Sequence, residues 1–209
     1  MASILVEQGL SANWQVKGWR ISLSTSAKEA ILAAARSAAQ AHGYGGLNFR
    51  DLATAVGIKA ASIHYHFPSK ASLGAAVARR YWEDTAAELE AMSAGSAEPA
   101  DGLRRYPDIF RRSLESGNRM CLCSFMAAEF DDLPDAVKTE VQTFTDINVA
   151  WLTKALAGKG LAGADDNERQ ARAIFAAIAG AQLVARSRAD IALFDTLIAS
   201  YRKAGLLPE

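Results

Sequence analysis

The chain has 209 residues, half of them hydrophobic, and its 23 basic side chains balance 23 acidic ones. A net charge of zero excludes a global electrostatic pull toward nucleic acid or membrane, so any polyanion-binding surface must be a local patch. Cys121 and Cys123, one residue apart, make no disulfide framework and fit a reducing, cytoplasmic setting, and no apolar run approaches the ~20 residues of a membrane span.

Residues 1–24 lack the basic start, apolar core and cleavage site of a signal peptide. With Trp14 and Trp19 in a stretch of no clear period, they read as a loosely docked arm. Ser26 to Glu29 has the form of a capping box, and Ile31, Leu32, Ala35, Ala38 and Ala39 follow at helical spacing. The glycines of HGYGG (42–46) stop that first helix. Asn48 is expected to cap a second, FRDLATAV, which Gly57 ends. A third runs from about Lys59 to His66, and Ser69 caps a fourth from about Lys70 to Ala94.

Past a loop at 93–102, five more helices are expected over 101–116, 120–132, 134–157, 166–187 and 190–204. Pro107 should kink the first of these or delay its start, Pro134 suits the opening turn of the third, and Asp165 or Asp166 should cap the fourth. Nothing alternates with period two for long enough to make a strand. The chain is therefore predicted all-α, with about nine helices. Residues 25–75 would form a three-helix amino-terminal domain and residues 76–209 a larger helical one.

Two short helices joined by a glycine turn behind a first helix form a helix-turn-helix, whose second short helix enters the major groove. Ala55, Val56, Ile58, Ile63 and Phe67 supply the packing between helices, and Lys59, Ser62, His64, Tyr65 and Lys70 supply donors. Between Ser26 and Ala75 the basic side chains Lys28, Arg36, Arg50, Lys59 and Lys70 face only Glu29 and Asp51, the local patch that the overall balance conceals. A metal reading of His64 and His66 meets a geometric objection: residues two apart on a helix point about 200° apart. No metal or cofactor is expected.

The stretch FRDLATAVGIKAASIHYHFPSKASL resembles the helix-turn-helix of TetR-type (TetR/AcrR) regulators. Gly57, Ile58, Ala61, Ser62, Ile63, His66, Phe67, Ser69, Lys70 and Leu73 fall on that pattern, while His64 stands where the family usually has tyrosine. The resemblance implies that Arg50, with Asn48 beside it, reaches DNA. It also implies that Ala60, Ala61 and His64 face base edges, that Ser62, Tyr65 and Lys70 hold phosphates, and that Lys59 and His66 lie in the same surface. Each has a plainer alternative: Arg50 pairing with nearby acids, Lys59 merely solvated, His66 packing at the helix end. Alanines at 60 and 61 offer no side-chain hydrogen bond to a base, so specificity would lean on Arg50, His64 and DNA shape.

The family plan also implies a carboxy-terminal domain that binds a small-molecule effector and forms a homodimer. Phe110, Phe125, Met126, Phe130, Phe144, Ile147, Trp151 and Phe175 could line such a cavity, with Gln182 and Asn148 for orientation, or could simply be core. Small residues at Ala173, Ala177 and Gly180, with Val184, Phe194, Leu197 and Ile198, suit a two-helix contribution to a dimeric four-helix bundle, or an ordinary buried helix. Two such subunits would read a near-palindromic double-stranded operator.

Cys121, Leu122, Ala128, Glu129, Leu133 and Pro134 resemble members of the family that sense electrophiles, oxidants or small unsaturated acids, with Met120 where those have glycine. A thiol at a helix N-terminus beside Arg119 would gain acidity, which a sensor needs; the alternative is a pair of small buried hydrophobes. The expected function is a ligand-responsive, non-enzymatic regulator, most simply a repressor. Thiol sensing through Cys121 is an alternative, and a Cys-dependent enzyme using His42, His64 or His66 a distant one.

Overall fold

The computed structural model describes residues 23–95, 99–158 and 163–209, and every regular element among them is helical. The expected arm, with Trp14 and Trp19, lies outside the described residues. Helix α1 covers Leu23–His42. Ser26 sits inside it rather than at its cap, correcting the capping-box expectation: Glu29 reaches instead to Arg80 at 2.9 Å. After a 3-10 turn at Tyr44–Gly46, helix α2 spans Phe49–Val56. Asn48 caps it, its side chain accepting the Arg50 N–H at 2.8 Å and the Asp51 N–H at 3.3 Å. Gly57 ends it at φ 75°, a left-handed conformation that glycine adopts without a Cβ penalty.

Helix α3, Ala60–His66, starts one residue later than expected because Lys59 occupies the cap position. Helix α4, Lys70–Ala94, opens on Ser69, whose hydroxyl accepts from Ser72 N while Ser72 reciprocates. The helix expected at 101–116 is two, α5 at Pro99–Arg105 and α6 at Pro107–Glu115. Proline has no N–H for the preceding turn but suits the first helical position, so the chain breaks at Tyr106.

The helix expected at 120–132 is α7, Leu122–Ala127, followed by a 3-10 turn at Phe130–Asp132. Helix α8 is Asp135–Ala157, with Pro134 at its cap. Helix α9 is Ala164–Arg188, capped from Gly163. The expected caps Asp165 and Asp166 lie in its first turn instead, where their charge meets the helix dipole. Helix α10 is Ile191–Lys203, with Asp190 accepting the Leu193 N–H at 3.1 Å.

Packing divides these helices into an amino-terminal trio and a larger body joined by α4. In the trio, Ile31, Ala35, Leu47, Leu52, Ile63 and Phe67 are buried. In the body, α8 lies between α4 and α9. An aromatic chain fills it: Tyr81 meets Phe144 at 5.5 Å, Phe144 meets Phe175 at 6.1 Å, Phe175 meets Phe110 at 6.2 Å, and Phe110 meets Tyr106 at 5.8 Å. Trp151 stacks on Tyr106 at 5.6 Å, with its indole N–H donating to Ser93. Such edge and offset contacts add to burial and leave little void.

Candidate nucleic-acid interface and the helical body behind it

Helix α3 is anchored by Ile63, fully buried, and by Phe67, 3% exposed, just beyond its end. Those anchors turn the opposite side of the helix outward. Ala60, Ala61, His64 and Tyr65 are exposed, Ser62 and His66 half-buried, and Tyr65 at 81% is the most exposed large hydrophobic side chain among the described residues. An exposed tyrosine with no apolar partner is a candidate for binding rather than folding.

The His64 ring packs on Phe49 of α2 at 4.6 Å, and His66 lies edge-on to Tyr65 at 5.1 Å. The two imidazoles thus have separate neighbours, as their helical spacing requires. Arg50 and Lys59 are exposed, and among the described residues neither side chain has a carboxylate partner, so the acid-pair alternative for Arg50 is not what the structure shows. The Asn48 side-chain oxygen is taken up by its capping bonds. Lys70 folds back, its Nζ 4.5 Å from the Tyr44 ring centroid and 3.5 Å from the Gly45 carbonyl. Arg36, counted in the basic patch from sequence, points away from α3: it bonds Asp84 at 2.9 Å and covers the Tyr81 ring at 4.7 Å. With Arg36 engaged elsewhere, Lys28, Arg50, Lys59 and Lys70 remain of the patch.

Behind this surface, the body grips the end of α1. Met120 N donates to Gln40 O at 3.2 Å, and the Arg186 guanidinium donates to Gln40 O at 3.3 Å and Ala41 O at 3.0 Å. These bonds satisfy carbonyls that a helix C-terminus otherwise leaves open. Gln40 donates in turn to Ser113 and to Met120 O, and Arg119 donates to Ser37. Glu129 accepts the Tyr44 N–H at 2.6 Å.

The residues expected around an effector divide. Phe110, Met126 and Phe144 are buried in the aromatic core; Phe175, Trp151 and Ile147 are half-buried on it or at its edge. Phe130 stands outside, 38% exposed with Lys138 over its ring at 5.0 Å. Gln182 and Asn148 are spoken for. Gln182 accepts Cys121 N at 2.9 Å and donates to Phe110 O at 2.7 Å. Asn148 accepts the Tyr106 hydroxyl at 2.8 Å and donates to Phe144 O at 2.7 Å. Phe125 borders a cleft of about 480 Å³ between α7 and α9, together with Met120, Ala179, Gly180, Leu183 and Arg186.

On α9, Ala177 is half-buried, Ala173 and Gly180 are exposed, and Val184 is 46% exposed beside Leu183 at 57%. On α10 the expectation needs correction. Phe194 and Ile198 are buried in their own protomer and Leu197 is half-buried, because the apolar stripe of α10 packs on α9 and α6.

Of the two readings of Cys121, the structure favours the small buried hydrophobe. It holds the cap position of α7, yet it is 2% exposed, and burial pushes its thiol above the ordinary value. Burial pushes Cys123 up further. Arg119 is engaged with Ser37, so desolvation wins over the helix dipole.

Sequence reading missed Arg186, Leu183 and Tyr44. Leu183 and Arg186 lie in a helix whose small residues drew the attention, and no local pattern says that an arginine at 186 reaches carbonyls at 40 and 41.

A bracing helix, a left-handed glycine turn and a second helix with its outer side bare, mounted on a larger helical body, define a helix-turn-helix DNA-binding regulator. Residues 31–77 match the family described as bacterial regulatory proteins, tetR family. The solved TetR transcriptional regulator from Legionella pneumophila is 32% identical, with TM-score 0.80 over 85% of this chain and 96% of that one. A TetR-family regulator from Agrobacterium tumefaciens is 28% identical, with TM-score 0.79 over 87% and 98%. The chain belongs to the TetR family of transcriptional regulators. Escherichia coli NemR in its reduced form shares the fold at 21% identity, with TM-score 0.73 over 85% and 96%. No protein with a curated description matches the chain. None of the described helices is long and apolar enough to cross a membrane.

Proposed function

We propose that the chain is a dimeric repressor that binds a near-palindromic operator and is released from it by a small-molecule effector. The observation that carries the reading is the bare outer side of α3, where Ala60, Ala61, His64 and Tyr65 stand over an anchor of Ile63 and Phe67. In this reading residues 25–75 are the DNA-binding domain and 76–209 the effector-binding and dimerisation domain. Arg50 and His64 read base edges, Ser62, Tyr65, Lys59 and Lys70 hold phosphates, and Asn48 orients Arg50 by capping α2. Two copies meet along α9 through Ala173, Ala177, Gly180, Leu183 and Val184, whose small or exposed side chains let a partner helix approach. Dimerisation sets the spacing of two α3 helices at about one DNA turn, ~34 Å, or somewhat more.

The thiol-switch alternative has against it the burial of Cys121 and the upward push on its pKa, which keeps the thiol protonated. The solved relatives' descriptions name transcriptional regulators, which supports a regulator role.

The test is selection of bound fragments from a random double-stranded library. It is followed by titration of the winning site against salt, with the mass in solution measured by light scattering. A salt-sensitive complex of two subunits on a two-fold site is the expected result. A monomer, or enrichment of no site, would overturn it.

A further inference from the structure

The cleft between α7 and α9 has a mostly apolar wall of Met120, Phe125, Ala128, Ala179 and Leu183, and one charged group, Arg186. Its volume of about 480 Å³ falls within the span usual for small-molecule sites, ~300–1,000 Å³. Among the described residues, no carboxylate pairs with Arg186. Its guanidinium sits 4.6 Å over the Phe125 ring and donates only to the neutral carbonyls of Gln40 and Ala41. A half-buried cation without a counter-charge, at the edge of an apolar cleft, complements a ligand with an apolar body and an anionic head.

We propose that this cleft binds a small amphipathic carboxylate whose head pairs with Arg186 and so competes with the end of α1 for that guanidinium. The proposal rests on the effector-released reading above and names the chemistry of the effector. A carboxylate offers the fork of arginine two charged acceptors in one plane, a stronger match than two carbonyls on successive residues. Pairing with it would free the Ala41 carbonyl, while Gln40 O keeps its bond from Met120 N. The affected turn leads directly into α2, so the competition links the cleft to the DNA-facing surface through a defined contact.

The test uses the full chain without DNA, with octanoate as probe and octanol and octylamine as controls, read by calorimetry. Octanoate should bind saturably, one per protomer, and at least tenfold more tightly than either control. Two variants keep the test sound if one misfolds. Arg186→Gln removes the charge and should weaken octanoate by about 10-fold or more. Phe125→Ala, on the α7 side of the cleft and away from the proposed dimer seam, removes the ring under the guanidinium and should weaken octanoate similarly. Bound octanoate should also speed amide hydrogen exchange over residues 41–46. Equal binding of octanol, parent-like affinity in both variants, or unchanged exchange on saturation would each overturn the proposal. Because no DNA is present, a failure here leaves the operator reading standing. A protein that binds octanoate as expected but no DNA would fail that reading alone.

Discussion

Glu129 and Tyr44 lie 85 residues apart in the chain, yet the Glu129 carboxylate accepts the Tyr44 backbone N–H at 2.6 Å. The contact joins the turn after α7 to the turn before α2. The carboxylate also fills the space over Gly43, whose φ of 66° already favours glycine, so a Cβ there would overlap it. Lys70, its Nζ 4.5 Å from the Tyr44 ring centroid, adds a second contact to the turn. A charge-assisted hydrogen bond in a half-buried setting contributes about 1.5–3 kcal/mol. Glu129→Ala should therefore lower the urea-unfolding free energy by about 1–2 kcal/mol after allowance for solvent at this position. Glu129→Gln should recover part of it, since its amide oxygen can still accept. Identical midpoints for all three proteins would show that the contact is not formed in solution.

The exposed positions on and around α3 should separate into two kinds. Arg50→Ala and His64→Ala should each cost about 1–3 kcal/mol on the selected operator and relax preference at particular base pairs. Lys59→Ala should weaken all DNA sequences alike and reduce the steepness of log affinity against log salt by about one. Fluorescence anisotropy on matched and scrambled duplexes over a salt series distinguishes them. A uniform loss for His64→Ala would move that residue to phosphate contact.

Gln182 holds two buried backbone groups at once, Cys121 N and Phe110 O. Gln182→Leu keeps most of the volume but strands both, at about 1–3 kcal/mol for each group left unsatisfied. Thermal and urea denaturation should show a loss of about 2–5 kcal/mol, large for a single substitution. A neutral result would require that water enter and replace the amide.

Glu140 is 5% exposed and accepts Arg79 Nε at 3.0 Å and Trp82 Nε1 at 2.7 Å. Burial alone would raise its pKa, but the hydrogen bonds from Arg79 and Trp82 and the Arg79 charge outweigh that and hold it below the ordinary carboxylate value. A depressed folded-state value means that the unfolded chain binds the proton first as pH falls. The contribution of Glu140 is then complete above the ordinary carboxylate range and is lost on acidification through its folded value. Glu140→Gln should flatten the acid limb of the stability-against-pH curve. An unchanged limb would place the responsible carboxylates elsewhere.

Cys121 and Cys123 should resist thiol reagents in the native protein. Both are buried with pKa values pushed up, so labelling should follow the rate of unfolding rather than the pH of the reagent. Rapid native labelling of Cys121 at neutral pH would revive the sensor reading.

Local chemistry determined much of this protein. The Asn48 cap, the left-handed Gly57, the Ser69 cap and the break at Pro107 each depend on residues within about one helical turn, so the helix-turn-helix and most helix limits were legible from residue order alone. Where those readings slipped, as at Ser26 and at the start of α9, the side chain expected to cap stood inside a longer helix. Tertiary structure alone decided which way side chains face and what they compete with. It turned Arg36 toward Asp84, sealed Phe194 and Ile198 into their own protomer, and desolvated Cys121 against the pull of its helix dipole. It also carried Arg186 to carbonyls some 145 residues away. A cap senses its own turn, whereas burial and long-range pairing depend on groups that only the folded chain brings within a few ångströms.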